Sequence, residues 1–188
     1  MSAELCPPKE VIANPDKKIK LFLIGKQGSG KTSMIFRFTL DEDCPPPGSI
    51  GSPEVFHRCM KVGAQDIQLD IWDTTGQERF MHVMPYIYRD LHGVMLVFDV
   101  TSQDSFDRIP QWLRELKANA PSDVSIILVG NKNDCSSRAV EYSVAERFAE
   151  ENGMEYIETN ARSIQSVNDA FLLLASKILA NTNENELL

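Results

Sequence analysis

Apolar and polar positions alternate along this chain with two different periods. Ile19 to Ile24 is a short apolar run closed by Gly25, which predicts a buried strand, and Lys31 to Leu40 behind it reads as a helix. Phe56 to Val62 and Ile67 to Trp72 flank Gly63-Ala64-Gln65-Asp66, the pattern of an antiparallel hairpin. In its second arm Ile67, Leu69 and Ile71 alternate with Gln68, Asp70 and Trp72. Gly93 to Val100 and Ser125 to Gly130 are continuous apolar runs, expected of central strands covered on both faces.

Helical spacing fills the intervals. Ser143-Val144-Ala145-Glu146 reads as a capping box opening a helix to about Glu151, and Val167, Phe171, Leu174 and Ile178 form one apolar stripe. That stripe is expected to pack into the core. Strands alternating with helices predict an α/β domain with a mainly parallel sheet, whose ligands bind beyond the carboxyl ends of the strands. The expected organisation is a flexible leader over 1–17, one domain over 18–180 and a polar tail over 181–188.

Composition narrows the class. The 188 residues carry 19 Lys and Arg against 27 Asp and Glu, a net charge of −8, with 43% apolar residues. This is ordinary globular composition, which excludes disordered and fibrous classes. The acidic balance opposes a nucleic-acid partner, whose binding rests on neutralising phosphates. Cys6, Cys44, Cys59 and Cys135 form no C-x-x-C pair, so a reducing compartment is expected. No apolar block in Met1 to Asp16 suggests a signal peptide, and runs such as Val94 to Phe98 fall far short of a span of about 20 residues. The end of the chain, Asn181 to Leu188, has no cysteine to prenylate. The expectation is a cytoplasmic protein, peripheral on membranes only through a lipidated tail outside this chain.

Gly25-Lys26-Gln27-Gly28-Ser29-Gly30-Lys31-Thr32 fits G-x-x-x-x-G-K-[ST] between a predicted strand and a predicted helix. Glycines let the backbone curl so that successive N–H groups point at phosphate oxygens, helped by the positive end of the following helix. The expected phosphate set is Gln27, Gly28, Ser29, Gly30, Lys31, Thr32 and Ser33. Within it Lys31 supplies a cation to the β and γ phosphates and Thr32 a hydroxyl to Mg²⁺. Asp73, at the end of the run Leu69 to Trp72, can hold Mg²⁺ through water. Behind it the Gly76 N–H can meet the γ-phosphate, and Gln77 can orient an attacking water.

Asn131-Lys132-Asn133-Asp134 follows the run Ile126 to Gly130, again at a strand's carboxyl end. Asp134 offers two acceptor oxygens that match the N1–H and N2 amine of guanine, an adjacent donor pair that adenine cannot present. Found by itself, this tetrapeptide would read as a polar turn. Thr159-Asn160-Ala161-Arg162 follows Tyr156 to Glu158 and brings a fourth loop to the same edge, where a backbone N–H of Ala161 can reach the base oxygen. Asn160, Ala161 and Arg162 join Asn131, Lys132 and Asp134 in the expected base pocket. His57, His82 and His92 have no metal-ligand spacing and read as ordinary polar or packed residues.

These four motifs in this order resemble the Ras superfamily of small GTPases over about residues 18 to 180, the Rab branch above the others. Ile71-Trp72-Asp73-Thr74, Gly76-Gln77-Glu78-Arg79-Phe80, Tyr86-Ile87-Tyr88-Arg89 and Val97-Phe98-Asp99-Val100-Thr101 carry the likeness, with Trp112-Leu113-Arg114-Glu115-Leu116 and Glu158-Thr159. The resemblance implies a P-loop NTPase small G domain: a six-stranded, mostly parallel sheet with one antiparallel edge strand and helices on both faces. It also implies a guanine-nucleotide switch in vesicle traffic with Mg²⁺ as cofactor. Effectors, an exchange factor and a GTPase-activating protein would act through switch segments at about 41–56 and 75–90. Met81, Val83, Met84, Tyr86 and Ile87 would give the second switch its apolar face.

The chain departs from the family pattern where the reaction occurs. Ser49-Ile50-Gly51 stands in place of a Mg²⁺-ligating threonine followed by Ile-Gly, after the stiff Pro45-Pro46-Pro47, so Ser49 is the expected hydroxyl ligand. Leu40 to Cys44 contains no aromatic to cover the guanine edge, which predicts faster nucleotide exchange. Gln27 replaces a small residue and Thr75 an alanine, both crowding Gln77, so hydrolysis is expected to be slow. Thr75 read differently donates a useful hydroxyl near the γ-phosphate. Asn160 and Arg162 stand for the usual serine and lysine. The rival reading is a hydrolysis-deficient GTPase-fold scaffold, and an ATP-using kinase is opposed by Asn131 to Asp134.

Overall fold

A computed structural model describes residues 3–5, 14–43, 55–73 and 88–185. Its elements in chain order are β1 (Ala3–Leu5), β2 (Lys17–Ile24), α1 (Lys31–Leu40), β3 (Val55–Val62), β4 (Gln65–Asp73), β5 (Gly93–Asp99), α2 (Gln103–Asp107), α3 (Ile109–Asn119), β6 (Ser125–Asn131), α4 (Tyr142–Glu151), β7 (Glu155–Glu158) and α5 (Ile164–Asn185). The strands lie in the order β1-β3-β4-β2-β5-β6-β7. From β4 to β7 every pairing is parallel, and β3 runs antiparallel to β4, so the expected six-stranded sheet with one antiparallel strand is present. The short β1 adds a seventh strand on the outer side of β3.

Strands covered on both faces feed two separate cores by simple alternation. On one side Ile19, Leu21 and Leu23 of β2, Met95 and Val97 of β5, and Ile127 and Val129 of β6 pack under α1 and α5. Phe22, Leu96, Phe98 and Leu128 point the other way and pack under α3 and α4. The stripe Val167, Phe171, Leu174 and Ile178 of α5 is buried in the first core, as its spacing predicts, and Phe171 stacks on Phe38 of α1 at 3.9 Å. In the second core Ile109, Trp112, Leu113 and Leu116 of α3 cover the sheet. Among the described residues no helix is long and apolar enough to cross a membrane.

Four local features differ from the sequence expectation. The hairpin turn shortens to Gly63-Ala64, since Val62 pairs with Gln65, and Gly63 takes the left-handed conformation (φ 63°) that a tight hairpin needs at its first central position. Helix α4 starts at Tyr142 with Glu141 as N-cap and no side-chain cap, so Ser143 is its second residue rather than its cap. The backbone N–H groups of Ala139 and Val140 both donate to Val100 O, and this anchor brings the helix start forward. Within the expected leader, Ala3–Leu5 pairs with β3, and Asp16 exchanges hydrogen bonds with Asp66 at 2.7 Å each. Within the expected tail, α5 continues to Asn185, fastened by Asn181 Nδ2 donating to Ser125 Oγ at 3.0 Å.

Candidate functional site

The parallel register brings the carboxyl ends of β2, β4, β5, β6 and β7 to one edge, and the motif loops leave from there. The loop from Gly25 to Gly30 is pressed into the sheet. A methyl group on Gly25 would lie 1.9 Å from Val97 O, and one on Gly30 (φ 94°) would lie 2.1 Å from Asn131 Nδ2. At both positions only glycine fits. Lys31 is buried and its ammonium folds back over the loop, donating to Gly25 O at 2.5 Å and Lys26 O at 3.2 Å. Thr32 Oγ1 donates to Asp73 Oδ2 at 2.6 Å, so the hydroxyl and carboxylate expected at the metal lie side by side. Gln27 and Gly28 are exposed at the tip, and Lys26 forms an ion pair with Asp104 of α2.

The second group of residues meets the first through Asn131. This side chain, 0% exposed, donates from Nδ2 to Ser29 O at 2.8 Å and accepts at Oδ1 from Thr159 Oγ1 at 3.2 Å. Asn131 therefore ties the phosphate loop, the end of β6 and the end of β7 together. Lys132 adopts a left-handed backbone (φ 67°), and its ammonium pairs with Asp99 Oδ2 at 2.6 Å. Asp134 lies 3.4 Å from Arg162 Nη1. Asn160 Oδ1 accepts from Arg162 N at 2.8 Å, an Asx turn that shapes the loop carrying Ala161. Gly30, Ser33, Asn131, Lys132, Asp134 and Ala161 line one cleft of about 330 Å³, to which Asn160 and Arg162 also contribute.

Two acid–base pairs brace this edge, and no motif marks their members as partners. Arg138 grips Glu158 with two hydrogen bonds of 2.8 Å, and Tyr156 OH donates to the same carboxylate at 2.7 Å. Burial pushes the Glu158 carboxyl up, but the bonds from Arg138 and Tyr156 outweigh it and hold it below the usual range. The Tyr156 hydroxyl is pushed up, first by burial and then by Glu158. Asp99 follows the same pattern: burial raises it, and hydrogen bonds from Lys132 and Thr101 bring it below its ordinary value. The signals that could have drawn attention to these residues are an acidic residue closing an otherwise apolar strand, at Asp99, and a charged residue just before a loop at the ligand edge, at Glu158.

The other chemistry-bearing residues sort plainly. His92 is packed, its Nδ1 accepting from Lys20 N at 3.1 Å, and His57 pairs with Asp70 at 2.7 Å on the sheet surface. Cys59 is buried and Cys135 exposed beside the cleft. Ser49, Thr75, Gly76 and Gln77 lie outside the described residues, as do His82, Cys6, Cys44 and the second-switch residues Met81 to Ile87.

A glycine-rich strand-to-helix loop beside a polar cleft at the carboxyl edge of a mostly parallel sheet defines a P-loop α/β domain of the small G type. The Ras family model matches residues 20–180, and the chain belongs to that family. It is similar to GTP-binding protein YPT1 of Saccharomyces cerevisiae, 39% identical over 173 residues that cover 92% of this chain and 84% of the relative. Ras-related protein RABD2a of Arabidopsis thaliana is 38% identical over 164 residues, 87% of this chain and 81% of its own. Ras-related protein Rab-30 of Homo sapiens is 36% identical over 173 residues, covering 92% and 85%. Within the family the chain is Rab-like.

Proposed function

We propose that this protein is a Rab-type switch that binds GTP and GDP with Mg²⁺, hydrolyses GTP slowly, and acts in vesicle traffic through partners that read its nucleotide state. The observation that carries the reading is the Asn131 bridge, which joins the phosphate loop to the base loop around one cleft. The base lies against Asp134, whose carboxylate accepts from N1–H and the N2 amine, while the Ala161 N–H meets the base oxygen. Lys132 flanks the base, and the N–H groups from Gln27 to Ser33 cradle the phosphates.

The metal fits the donors present. The Thr32 hydroxyl and the Asp73 carboxylate are hard oxygen ligands 2.6 Å apart, the kind that suits Mg²⁺, and Ser49 would add a second hydroxyl. When bound, the ion neutralises charge on the β and γ phosphates. Lys31 offsets charge that builds on the β–γ bridging oxygen as the bond to the γ-phosphorus breaks. Gln77 orients the water that attacks that phosphorus, giving GDP and inorganic phosphate. Crowding of Gln77 by Gln27 and Thr75 makes the intrinsic step slow, and the first switch, which has no aromatic between Leu40 and Cys44, lets nucleotide leave quickly.

The test is to identify the nucleotide in the purified protein and then follow a single turnover of GTP. Guanine nucleotide at near one per chain, with slow release of phosphate, is expected. The double substitution Gln27→Ser with Thr75→Ala should speed that turnover. Retained GTP with no phosphate released would favour the scaffold reading, and equal competition by ATP would overturn the guanine pocket.

A further inference from the structure

We propose that Asp99 is a positioning residue for the base pocket: its carboxylate holds the Lys132 ammonium and so fixes the strained turn that presents Asp134. The inference rests on the guanine-pocket reading above and assigns part of that pocket's rigidity to a residue one strand away. In the parallel register Asp99 pairs with Asn131, so it ends β5 directly beside the start of the base loop. It is only 8% exposed, and its polar groups divide the work cleanly. The backbone N–H donates to Ser105 Oγ at 2.9 Å. Oδ1 accepts from both Thr101 N at 2.8 Å and Thr101 Oγ1 at 2.7 Å. Oδ2 is left for Lys132 Nζ at 2.6 Å.

Lys132 needs such an anchor. Its φ of 67° lies in the left-handed region, which a non-glycine residue adopts only under strain. The residue also starts a tight turn, since Cys135 N donates to Lys132 O at 3.0 Å, while Asn133 N donates to Thr159 O at 3.1 Å. Asp134 sits inside that turn. A strained backbone persists where its surroundings over-determine it, and the Asp99 ion pair is the side-chain part of that constraint. A charge-assisted bond from a mostly buried carboxylate is worth more than one on the open surface.

The division of labour between the two oxygens makes the claim separable from a merely structural role. Asp99→Asn is isosteric and keeps an oxygen for Thr101, but it turns an amide N–H₂ toward the Lys132 ammonium. Dissociation of a fluorescent GDP analogue, measured with magnesium at fixed pH, should quicken about tenfold. In a Lys132→Gln background the same substitution should add almost nothing, because the effect runs through Lys132. A rate for Asp99→Asn within twofold of the parent, or a full further increase in the Lys132→Gln background, would overturn the proposal. A second measurement does not depend on nucleotide affinity: amide hydrogen exchange at Asn133 and Cys135 should rise about tenfold in Asp99→Asn, with the amides of α3 unchanged. Unchanged exchange at those two amides sinks the inference even if the parent retains GDP. A parent chain that retains no guanine nucleotide sinks the pocket reading, and the exchange result still decides the role of Asp99. If Asp99→Asn does not fold, Lys132→Arg serves: it should retain protection at both amides while Lys132→Gln loses it, and equal loss in the two refutes the ion-pair account.

Discussion

A serine inside the phosphate loop is predicted to make the protein less stable than alanine would. Ser29 is 1% exposed, its N–H donates to Lys26 O at 3.1 Å and its carbonyl accepts from Asn131. Among the described residues its Oγ finds no hydrogen-bond partner. The hydroxyl faces the Cα of Gly25, near enough that a methyl group there would lie 3.1 Å from it. A buried, unpaired hydroxyl costs about 1–3 kcal/mol of desolvation. Removing one oxygen forfeits a few dispersion contacts of about 0.1–0.2 kcal/mol each, well under 1 kcal/mol together. Ser29→Ala should therefore gain about 1 kcal/mol net, which for a domain of this size is a Tm rise of about 2–4 °C. Thermal unfolding followed by circular dichroism reads this directly, provided GDP and magnesium are held at one concentration, because ligand binding shifts Tm by mass action. The backbone N–H survives the substitution, so GDP dissociation should stay within about twofold of the parent. A Tm equal to or below that of the parent would refute the assignment of Ser29 Oγ as an orphan.

Other perturbations probe the rest of the site. Gly30→Ala forces a left-handed alanine against Asn131 Nδ2; roughly 2 kcal/mol of strain and a similar loss at the displaced amide should appear in urea unfolding, with GDP retention abolished. Arg138→Met leaves Glu158 without its two-pronged partner at a mostly buried position and should cost about 2 kcal/mol in the same assay, with Glu158→Gln milder because the amide oxygen still accepts from Tyr156. Burial, with Lys17 as the next cause, holds His92 below its ordinary value of 6.5, so the unfolded chain takes up the proton first as pH falls. Its stability contribution is present above that value and lost below it, so unfolding free energy should drop as pH falls below about 6.5. His92→Asn, which keeps an acceptor for Lys20 N, should flatten that part of the profile.

The layered sheet was legible because β5 and β6 are near-continuous apolar runs, β4 alternates, and Val167 to Ile178 keeps helical spacing. The phosphate loop was legible because close backbone approach demands glycine at Gly25 and Gly30, and glycines at fixed spacing are visible in a string of letters. What escaped the string was backbone pairing and long-range charge. β1 is held through main-chain groups to β3, and such pairing leaves no periodic trace over three residues. Ser143 had the chemistry of an N-cap, yet the tertiary anchor of Ala139 and Val140 on Val100 decided where α4 begins. Asp99 with Lys132 and Arg138 with Glu158 are partners separated in sequence, and nothing local marks them as pairs.

The Asn131 bridge also sets a clock on when this site can exist. Its bond to Ser29 spans 102 residues of chain, and its bond to Thr159 spans another 28. Contacts of that separation form late, after the intervening loops have been closed. During synthesis the phosphate loop leaves the ribosome long before β6 and the end of β7, so a nascent chain stopped short of Asn131 carries the glycine-rich motif without the side chain that holds it in shape, and one stopped short of Thr159 lacks that side chain's second partner. Nucleotide capture should accordingly switch on only when the last third of the protein has emerged, and the completed site is a record that the whole sheet has closed.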